Sequence, residues 1–269
     1  MDIKALAQDA APYVVERRRY YHQHPELTGE EKNTRDAIHR DLEALGITDI
    51  RDMVNCYGLV ATIHGGKPGK TVGLRADTDA LSFQEETGLP FASCEPGKMH
   101  ACGHDTHIAM LLGAAKLLQE HREELRGDVR LIFQPAEEGV RGAQSIAESG
   151  ILDDVDWFLS GHLGMGWKTG ELLALTNGFL STTKIDAVIT GLSSHAGASP
   201  QDGHNAILAA CSATLAMHTA CQDSRGAARL NVGTISGGTG RNVVADRAVL
   251  QLETRGETTE IERTVFGRA

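Results

Sequence analysis

Residues 100–121 read HACGHDTHIAMLLGAAKLLQEH, and this stretch governs the interpretation of the whole chain. Its first eight residues hold five side chains that can bind a metal, namely His100, Cys102, His104, Asp105 and His107. Thiolate and imidazole are ligands that suit zinc or another borderline divalent metal. From residue 104 onward, apolar residues recur at the spacing of one helix face. We therefore predict a metal-binding loop that runs directly into a packed helix over residues 104–121.

A simpler interpretation treats this segment as a loop with one buried histidine and Asp105 as a helix cap. A single histidine would favour that interpretation. Five potential ligands within eight residues favour a metal site instead.

The pattern around this segment alternates between helix and strand. We predict two helices in the first 45 residues, strands over residues 59–63, 71–76 and 129–133, a helix over 141–149, and a buried strand over 157–159. Such alternation indicates an α/β sandwich. Residues 1–177 are therefore predicted to form a catalytic α/β domain.

A second domain is predicted over residues 178–269. Its pattern gives a strand at 184–190, a helix at 203–221, strands at 230–235 and 248–252, and a helix from 257. This order is most of a ferredoxin-like split βαβ unit, without the last strand. The fold class is thus α/β, with an additional ferredoxin-like α+β domain.

Further chemical groups follow the predicted strands. FQPAEEG (133–139) presents Glu137 and Glu138, SGHLG (160–164) presents His162, and LRADTDAL (74–81) presents Asp77 and Asp79. Open α/β folds form their sites where strands end. One carboxylate of the glutamate pair can hold a metal, while the other takes a proton from water. Each group alone is equally typical of a solvated surface or a structural histidine.

Two glycine-rich segments of the second domain also carry polar groups. SSHAGASPQDGHNA (193–206) contains His195, and GTISGGTGRNVV (233–244) contains Arg241 and Asn242. They are interpreted either as a helix-start loop and a hairpin, or as hydrogen-bond donors to a substrate carbonyl or carboxylate.

The bulk properties narrow the classes of partner. The chain has 269 residues and a formal net charge of -10, which opposes binding to nucleic acid or to an anionic membrane. No apolar run approaches the length of a membrane span. Five scattered cysteines and the absence of a signal-like N-terminus predict a cytoplasmic protein with reduced thiols.

Five motifs occur in the order of a known family. LRADTDAL, MHACGHDTH, FQPAEEG, the GH of SGHLG, and HAGASPQDGHNA resemble the amidohydrolase branch of the dinuclear-metal aminoacylase/carboxypeptidase family. The resemblance implies one or two divalent metals per chain, Zn or Mn. It also implies hydrolysis of small N-acyl amino acids, above all of the aminobenzoyl-glutamate type. Family members form dimers through the smaller domain, so a homo- or heterodimer is expected.

The resemblance also implies residue roles. The residues that match metal ligands are Cys102, His104, Glu138 and His162. Glu137 matches the general base, and Asp79 matches the aspartate that supports the metal site. His195 matches a histidine that stabilises the oxyanion. Arg241 and Asn242 are expected to hold the substrate.

The sequence departs from the family pattern in one respect that bears on its expected activity. Family members return to the catalytic domain after the small domain and there supply a further histidine ligand. Here the last histidine is His218, and the sequence stops at Ala269. We therefore expect a fragment, a truncated product or part of a split enzyme that is unstable or inactive alone.

Two other functions remain open from the sequence. One is an amidase with Cys102 as nucleophile and His104 as base. The other is an inactive or partner-dependent protein that binds metal or dimerises without turnover.

Overall fold

The computed structural model describes residues 2–139, 142–164, 166–174 and 179–269. The chain divides into two compact units, Met1–Lys168 and Thr169–Ala269. The boundary predicted between residues 177 and 178 falls outside the described residues and stays a prediction.

The first unit is an α/β unit built on a mixed sheet. Its elements are α1 (Ile3–Gln23), α2 (Lys32–Ala44), β1 (Asp49–Asp52), β2 (Leu59–Ile63), β3 (Val72–Asp77), α3 (His104–Glu120), β4 (Val129–Gln134), α4 (Gly142–Glu148) and β5 (Trp157–Ser160). The strands lie in the order β1-β2-β4-β3-β5. The antiparallel β1 and β2 form one side, and β4, β3 and β5 run parallel. The predicted α/β class is confirmed.

The core of this unit lies between the sheet and the helices α1, α2 and α3. Ile108 and Leu112 of α3 pack in the same fully buried cluster as Leu131 and Phe133 of β4. Burial of each such side chain contributes about 1.5–3 kcal/mol. The apolar face of α3 therefore packs against the sheet. This packing fixes the position at which the helix begins.

Strand β5 corrects one prediction. We expected residues 157–159 to be buried, but the exposed fractions of Trp157, Phe158 and Leu159 are 62%, 51% and 60%. The strand pairs with β3 on one side and has no strand on its other side among the described residues. An apolar run therefore identified a strand but not its position at the edge of the sheet.

Strand β1 was not predicted, because its sequence DIRD has no alternating apolar pattern. It forms by pairing with β2 in the register Asp49 to Thr62. A neighbouring strand, rather than local propensity, creates this element.

The second unit is an antiparallel sheet with two helices. Its elements are β6 (Ser181–Thr190), α5 (Ala206–Met217), β7 (Ala228–Gly237), β8 (Arg247–Gly256) and α6 (Thr259–Phe266). The strand order β6-β8-β7 is that of a split βαβ unit. Helix α5 begins later than predicted, because the side chain of Asn205 caps the N–H groups of Ile207 and Leu208.

Among the described residues, no helix is both long and apolar enough to cross a bilayer. All five cysteines lie in the described ranges and are free thiols.

Candidate metal centre

The parallel strands bring the predicted groups to one edge of the first unit's sheet. Because β3, β4 and β5 run in the same direction, their carboxyl ends meet at this edge. Asp79 follows β3, Glu138 follows β4 and His162 follows β5. Helix α3 begins at His104, which is fully buried. The topology thus assembles groups that are far apart in sequence.

His104 offers one ring nitrogen to this centre. Its Nδ1 donates to the backbone carbonyl of Asp79 at 2.9 Å. A carbonyl only accepts, so Nδ1 carries a proton, and in the neutral ring the lone pair then lies on Nε2. Nε2 is buried and has no hydrogen-bond partner among the described residues. A buried lone pair without a partner is the condition that a bound metal would satisfy.

Cys102 and Glu138 face the same place as His104. Ligand atoms of these three residues lie within 4.8 Å of one another. Burial and the carboxylate of Glu138 raise the pKa of the Cys102 thiol to about 12. A soft thiol, an imidazole and a carboxylate form a donor set that fits zinc or manganese.

His162 joins this group through Cys102. Its Nε2 lies 3.5 Å from the Cys102 Sγ, and its Nδ1 donates to the backbone carbonyl of Leu163 at 2.8 Å. The tautomer is therefore the same as that of His104, with the Nε2 lone pair turned toward the thiol. The structure brings the four predicted ligands together, and their binding of a metal stays a prediction.

His107 lies beside these ligands but has both ring nitrogens occupied. Nδ1 donates to Asp77 Oδ1 at 2.5 Å, and Nε2 accepts the N–H of Leu163 at 2.9 Å. Ligand atoms of Asp77, His104, His107 and His162 also lie within 4.8 Å of one another. The two hydrogen bonds indicate that His107 holds the segment carrying His162 rather than serving as a ligand.

Asp77 holds the ring of His107 in place. Burial raises its pKa, but the hydrogen bond from His107 and the nearby charges of His104, Arg75 and His107 together outweigh burial and lower the pKa to about 2. A second contact links its Oδ2 to Arg75 at 2.7 Å. Asp77 therefore stays ionised and orients the His107 ring.

Asp79 supports the centre through two hydrogen bonds. Its Oδ2 accepts the hydroxyl of Thr28 at 2.7 Å and the N–H of Glu138 at 3.0 Å. Burial raises its pKa, but contacts led by His104 outweigh burial and hold the pKa below its ordinary value. Asp79 thus contacts both His104 and the turn that carries Glu138, as a supporting residue would.

Glu137 directly precedes the predicted ligand Glu138. Burial and the neighbouring Glu138 raise the pKa of its carboxyl above the ordinary value. A raised carboxyl pKa suits a group that accepts and then returns a proton near neutral pH.

The turn after β4 presents this glutamate pair. Ala136 has φ +51° and is the one non-glycine with positive φ among the described residues. This conformation costs roughly 1–2 kcal/mol. Gly142 makes the turn possible, because a Cβ there would lie 1.7 Å from the carbonyl oxygen of Pro135.

The remaining predicted residues belong to the second unit. His195 is exposed, and its Nδ1 accepts the N–H groups of Gly197 and Ala198 at 3.2 and 3.0 Å. The ring proton therefore lies on Nε2, where it is available as a donor. Asn242 lies alongside, because its carbonyl accepts the N–H of Ala196 at 3.0 Å. The adjacent Arg241 is also exposed.

Sequence reasoning missed the contribution of residues 24–31, HPELTGEE, which it treated as a connection between helices. Thr28 contacts Asp79, and Glu31 is fully buried against the backbone of Ala136. The density of carboxylates in a short connection was the available signal.

Comparison with known proteins supports the resemblance. Residues 73–262 match the model of Peptidase family M20/M25/M40. Over 219 residues the chain is 49% identical to indole-3-acetyl-aspartic acid hydrolase of Enterobacter agglomerans and 48% identical to one of the subunits of p-aminobenzoyl-glutamate hydrolase of Escherichia coli K12, covering 79% of this chain and 50% of each relative. The chain therefore spans about half the length of these curated relatives.

A solved structure agrees with the fold. The YXEP protein of Bacillus subtilis, a dinuclear metal binding peptidase from the M20 family, superimposes with a TM-score of 0.69 and 33% identity. The match covers 98% of this chain and 70% of that one. The segments STTKIDA, GRNVV and LETRG were the part of the sequence that pointed to p-aminobenzoyl-glutamate hydrolase within the family. The ordered motifs agree with these matches, and the match over residues 73–262 shows that the chain belongs to Peptidase family M20/M25/M40.

Proposed function

We propose that this chain forms part of a metal-dependent hydrolase that cleaves the amide bond of N-acyl amino acids. The convergence of His104, Cys102, Glu138 and His162 beside Glu137 carries this proposal. Both ring Nε2 atoms face the cluster, and the carboxyl with the raised pKa lies next to it.

The donor set accepts a divalent metal, Zn or Mn, with one or two per chain. When bound, such a metal polarises the scissile carbonyl and lowers the pKa of a water ligand from 15.7 toward about 7. His104 and His162 are held in the required tautomer by backbone carbonyls, so binding needs no ring rotation.

Glu137 performs the proton transfers in the proposed reaction. Its carboxylate takes a proton from the attacking water and later delivers it to the leaving amine. Asp79 contributes indirectly, because it fixes the backbone N–H of Glu138 and lies against His104. These contacts hold the turn that carries both glutamates.

The resemblance suggests roles in substrate binding for three residues of the second unit, His195, Arg241 and Asn242. The Nε2–H of His195 is a suitable donor to a developing oxyanion. Arg241 and Asn242 are proposed to hold the substrate carboxylate or carbonyl. Backbone pairing of His195 with Val243 joins the two segments within this unit.

The substrate class follows from the relatives. Their names specify hydrolysis of indole-3-acetyl-aspartic acid and of p-aminobenzoyl-glutamate. We propose an N-acyl acidic amino acid, with aminobenzoyl-glutamate first. The free thiols support a reducing compartment such as the cytoplasm.

The thiol-nucleophile alternative is less well supported. A nucleophilic cysteine needs a lowered pKa, whereas burial and Glu138 raise the pKa of Cys102 to about 12.

Metal removal tests the proposed chemistry. Chelation should abolish hydrolysis of p-aminobenzoyl-glutamate, and added Zn²⁺ or Mn²⁺ should restore it, because the proposed reaction needs the cation. Product release would be assayed by absorbance, with a chelator already saturated with zinc as the control. Hydrolysis that survives chelation would favour Cys102 as nucleophile. Bound metal without turnover, alone or with a co-expressed partner, would favour the inactive protein.

We also propose dimerisation through the second unit. Helix α5 exposes Leu208 and Leu215 at 64% and 76%, on the same face as Cys211. An exposed apolar stripe of this kind suits a self-complementary interface. Leu208→Lys combined with Leu215→Lys should shift the light-scattering mass from dimer to monomer. Phe266→Lys on α6 is the matched control and should leave the mass unchanged; a dimer that persists in the double variant excludes this face.

A further inference from the structure

Glu31 makes an unusual contact with the turn that carries the glutamate pair. Its Oε1 accepts the N–H of Ala136 at 2.7 Å, across 105 residues of sequence. Ala136 immediately precedes Glu137 and holds the positive φ described above. The side chain of Glu31 is fully buried, so this hydrogen bond forms away from bulk water. A buried carboxylate contact of this kind is strong and directional.

The contact forms one half of a clamp. Asp79 accepts the N–H of Glu138 at 3.0 Å, and Glu31 accepts the N–H two residues earlier. The two acceptors come from different segments and hold amide groups on both sides of Glu137. Because both bonds act on the backbone, they fix where the side chains of Glu137 and Glu138 point.

A purely local role does not account for Glu31. The residue occupies the N-cap position of α2, yet its side chain makes no capping hydrogen bond to that helix. Its Oε2 is buried and has no hydrogen-bond partner among the described residues. Burial of a carboxylate costs free energy. The interaction that the buried Glu31 side chain makes is its hydrogen bond with the N–H of Ala136.

We propose that Glu31 is a positioning residue that holds the turn 135–138 so that Glu137 and Glu138 face the metal centre. This inference rests on the proposed function for the roles of the two glutamates. What Glu31 must supply is a hydrogen-bond acceptor for the N–H of Ala136.

Two substitutions of Glu31 differ in whether they keep the hydrogen-bond acceptor. Glu31→Gln keeps a carbonyl oxygen for Ala136, whereas Glu31→Leu removes the acceptor at similar size. A cavity of about 430 Å³ borders Glu31, Pro135 and Ala136, so the bulky leucine also limits entry of a substitute water. Glu31→Ala is the second variant if the leucine protein does not fold. Glu30→Leu is the matched control, because Glu30 is an exposed neighbour that pairs with Lys98.

Two measurements without substrate test the proposal. Amide hydrogen exchange should accelerate at Ala136 in Glu31→Leu, because its N–H loses its acceptor. Zn²⁺ affinity, measured by competition with a chelating dye, should fall about 10- to 100-fold, the loss typical when an outer residue that orients a ligand is removed. Glu31→Gln should stay within a few-fold of the unmodified chain in both, and so should Glu30→Leu. Circular dichroism melts verify folding.

Unchanged exchange and affinity in Glu31→Leu would overturn the proposal. Equal losses in the glutamine and leucine variants would also overturn it, because the acceptor would then not be what matters. Failure of the proposed hydrolase function would give a different result. The unmodified chain would bind metal without turnover, while the difference in amide exchange at Ala136 between Glu31→Leu and the unmodified chain would remain.

Discussion

In a complete enzyme that contains this chain, Glu137→Gln is expected to lower kcat for amide hydrolysis by roughly 10²- to 10⁴-fold, the range that general acid–base catalysis contributes. The amide has nearly the same shape as the carboxyl but cannot take a proton from water. The turn should persist, because the clamp acts on the N–H groups of Ala136 and Glu138 and not on the Glu137 side chain. Metal content should therefore stay at the level of the unmodified chain.

The measurement pairs turnover of p-aminobenzoyl-glutamate with metal content per chain after dialysis. Glu148→Gln on α4 is a matched control, since among the described residues the Glu148 side chain accepts a hydrogen bond from Gln144 alone. Turnover that persists in Glu137→Gln would remove Glu137 from the base role. Loss of bound metal instead would place Glu137 among the ligands.

The sequence predicted where the helices and strands of both units lie better than it predicted which of them are buried. Apolar periodicity located α3 and β2 almost to the residue, because their packing faces are written in side-chain spacing. The exposure of β5 was missed, since an apolar run does not reveal whether a further strand covers it. The short β1 was missed because its partner creates it.

The candidate centre was predictable to the extent that ligand types follow strands. Glu138 and His162 were identified in this way, whereas Cys102 and His104 were identified from the density of potential ligands in residues 100–107. The resemblance gave all four the role of metal ligand. The direction of each ring was not predictable, because it depends on which backbone carbonyl lies nearby in three dimensions. The distinct role of His107 likewise follows from contacts with Asp77 and Leu163.

The connection between α1 and α2 illustrates the same limit. Nothing in HPELTGEE shows that Glu31 would meet a backbone N–H across 105 residues. Glu31 occupies the N-cap position of α2, but its side chain makes no capping hydrogen bond. Long-range backbone contacts of this kind cannot be inferred from spacing or propensity.

His104→Asn is expected to cause the largest loss of metal binding. His104 belongs to both groups of potential ligands, so its removal affects every arrangement of metal at this centre. Asparagine keeps an N–H donor near the position of Nδ1 for the Asp79 carbonyl but has no counterpart of the Nε2 lone pair. Zn²⁺ affinity should fall further than the loss of about 10- to 100-fold that is typical when a residue that orients a metal ligand is removed.

Stability separates this loss from simple unfolding. The smaller side chain leaves a modest void in a fully buried position, which should cost about 1 kcal/mol and a few degrees of melting temperature. His121→Asn, just beyond the other end of α3, is the matched control and should keep full affinity, because within the described ranges Glu124 is the one charged group that His121 contacts. Zinc affinity from dye competition and a thermal melt of each variant give the comparison. A folded His104→Asn protein with unchanged zinc affinity would exclude His104 as a ligand, and with it the metal centre from which the proposed hydrolysis follows.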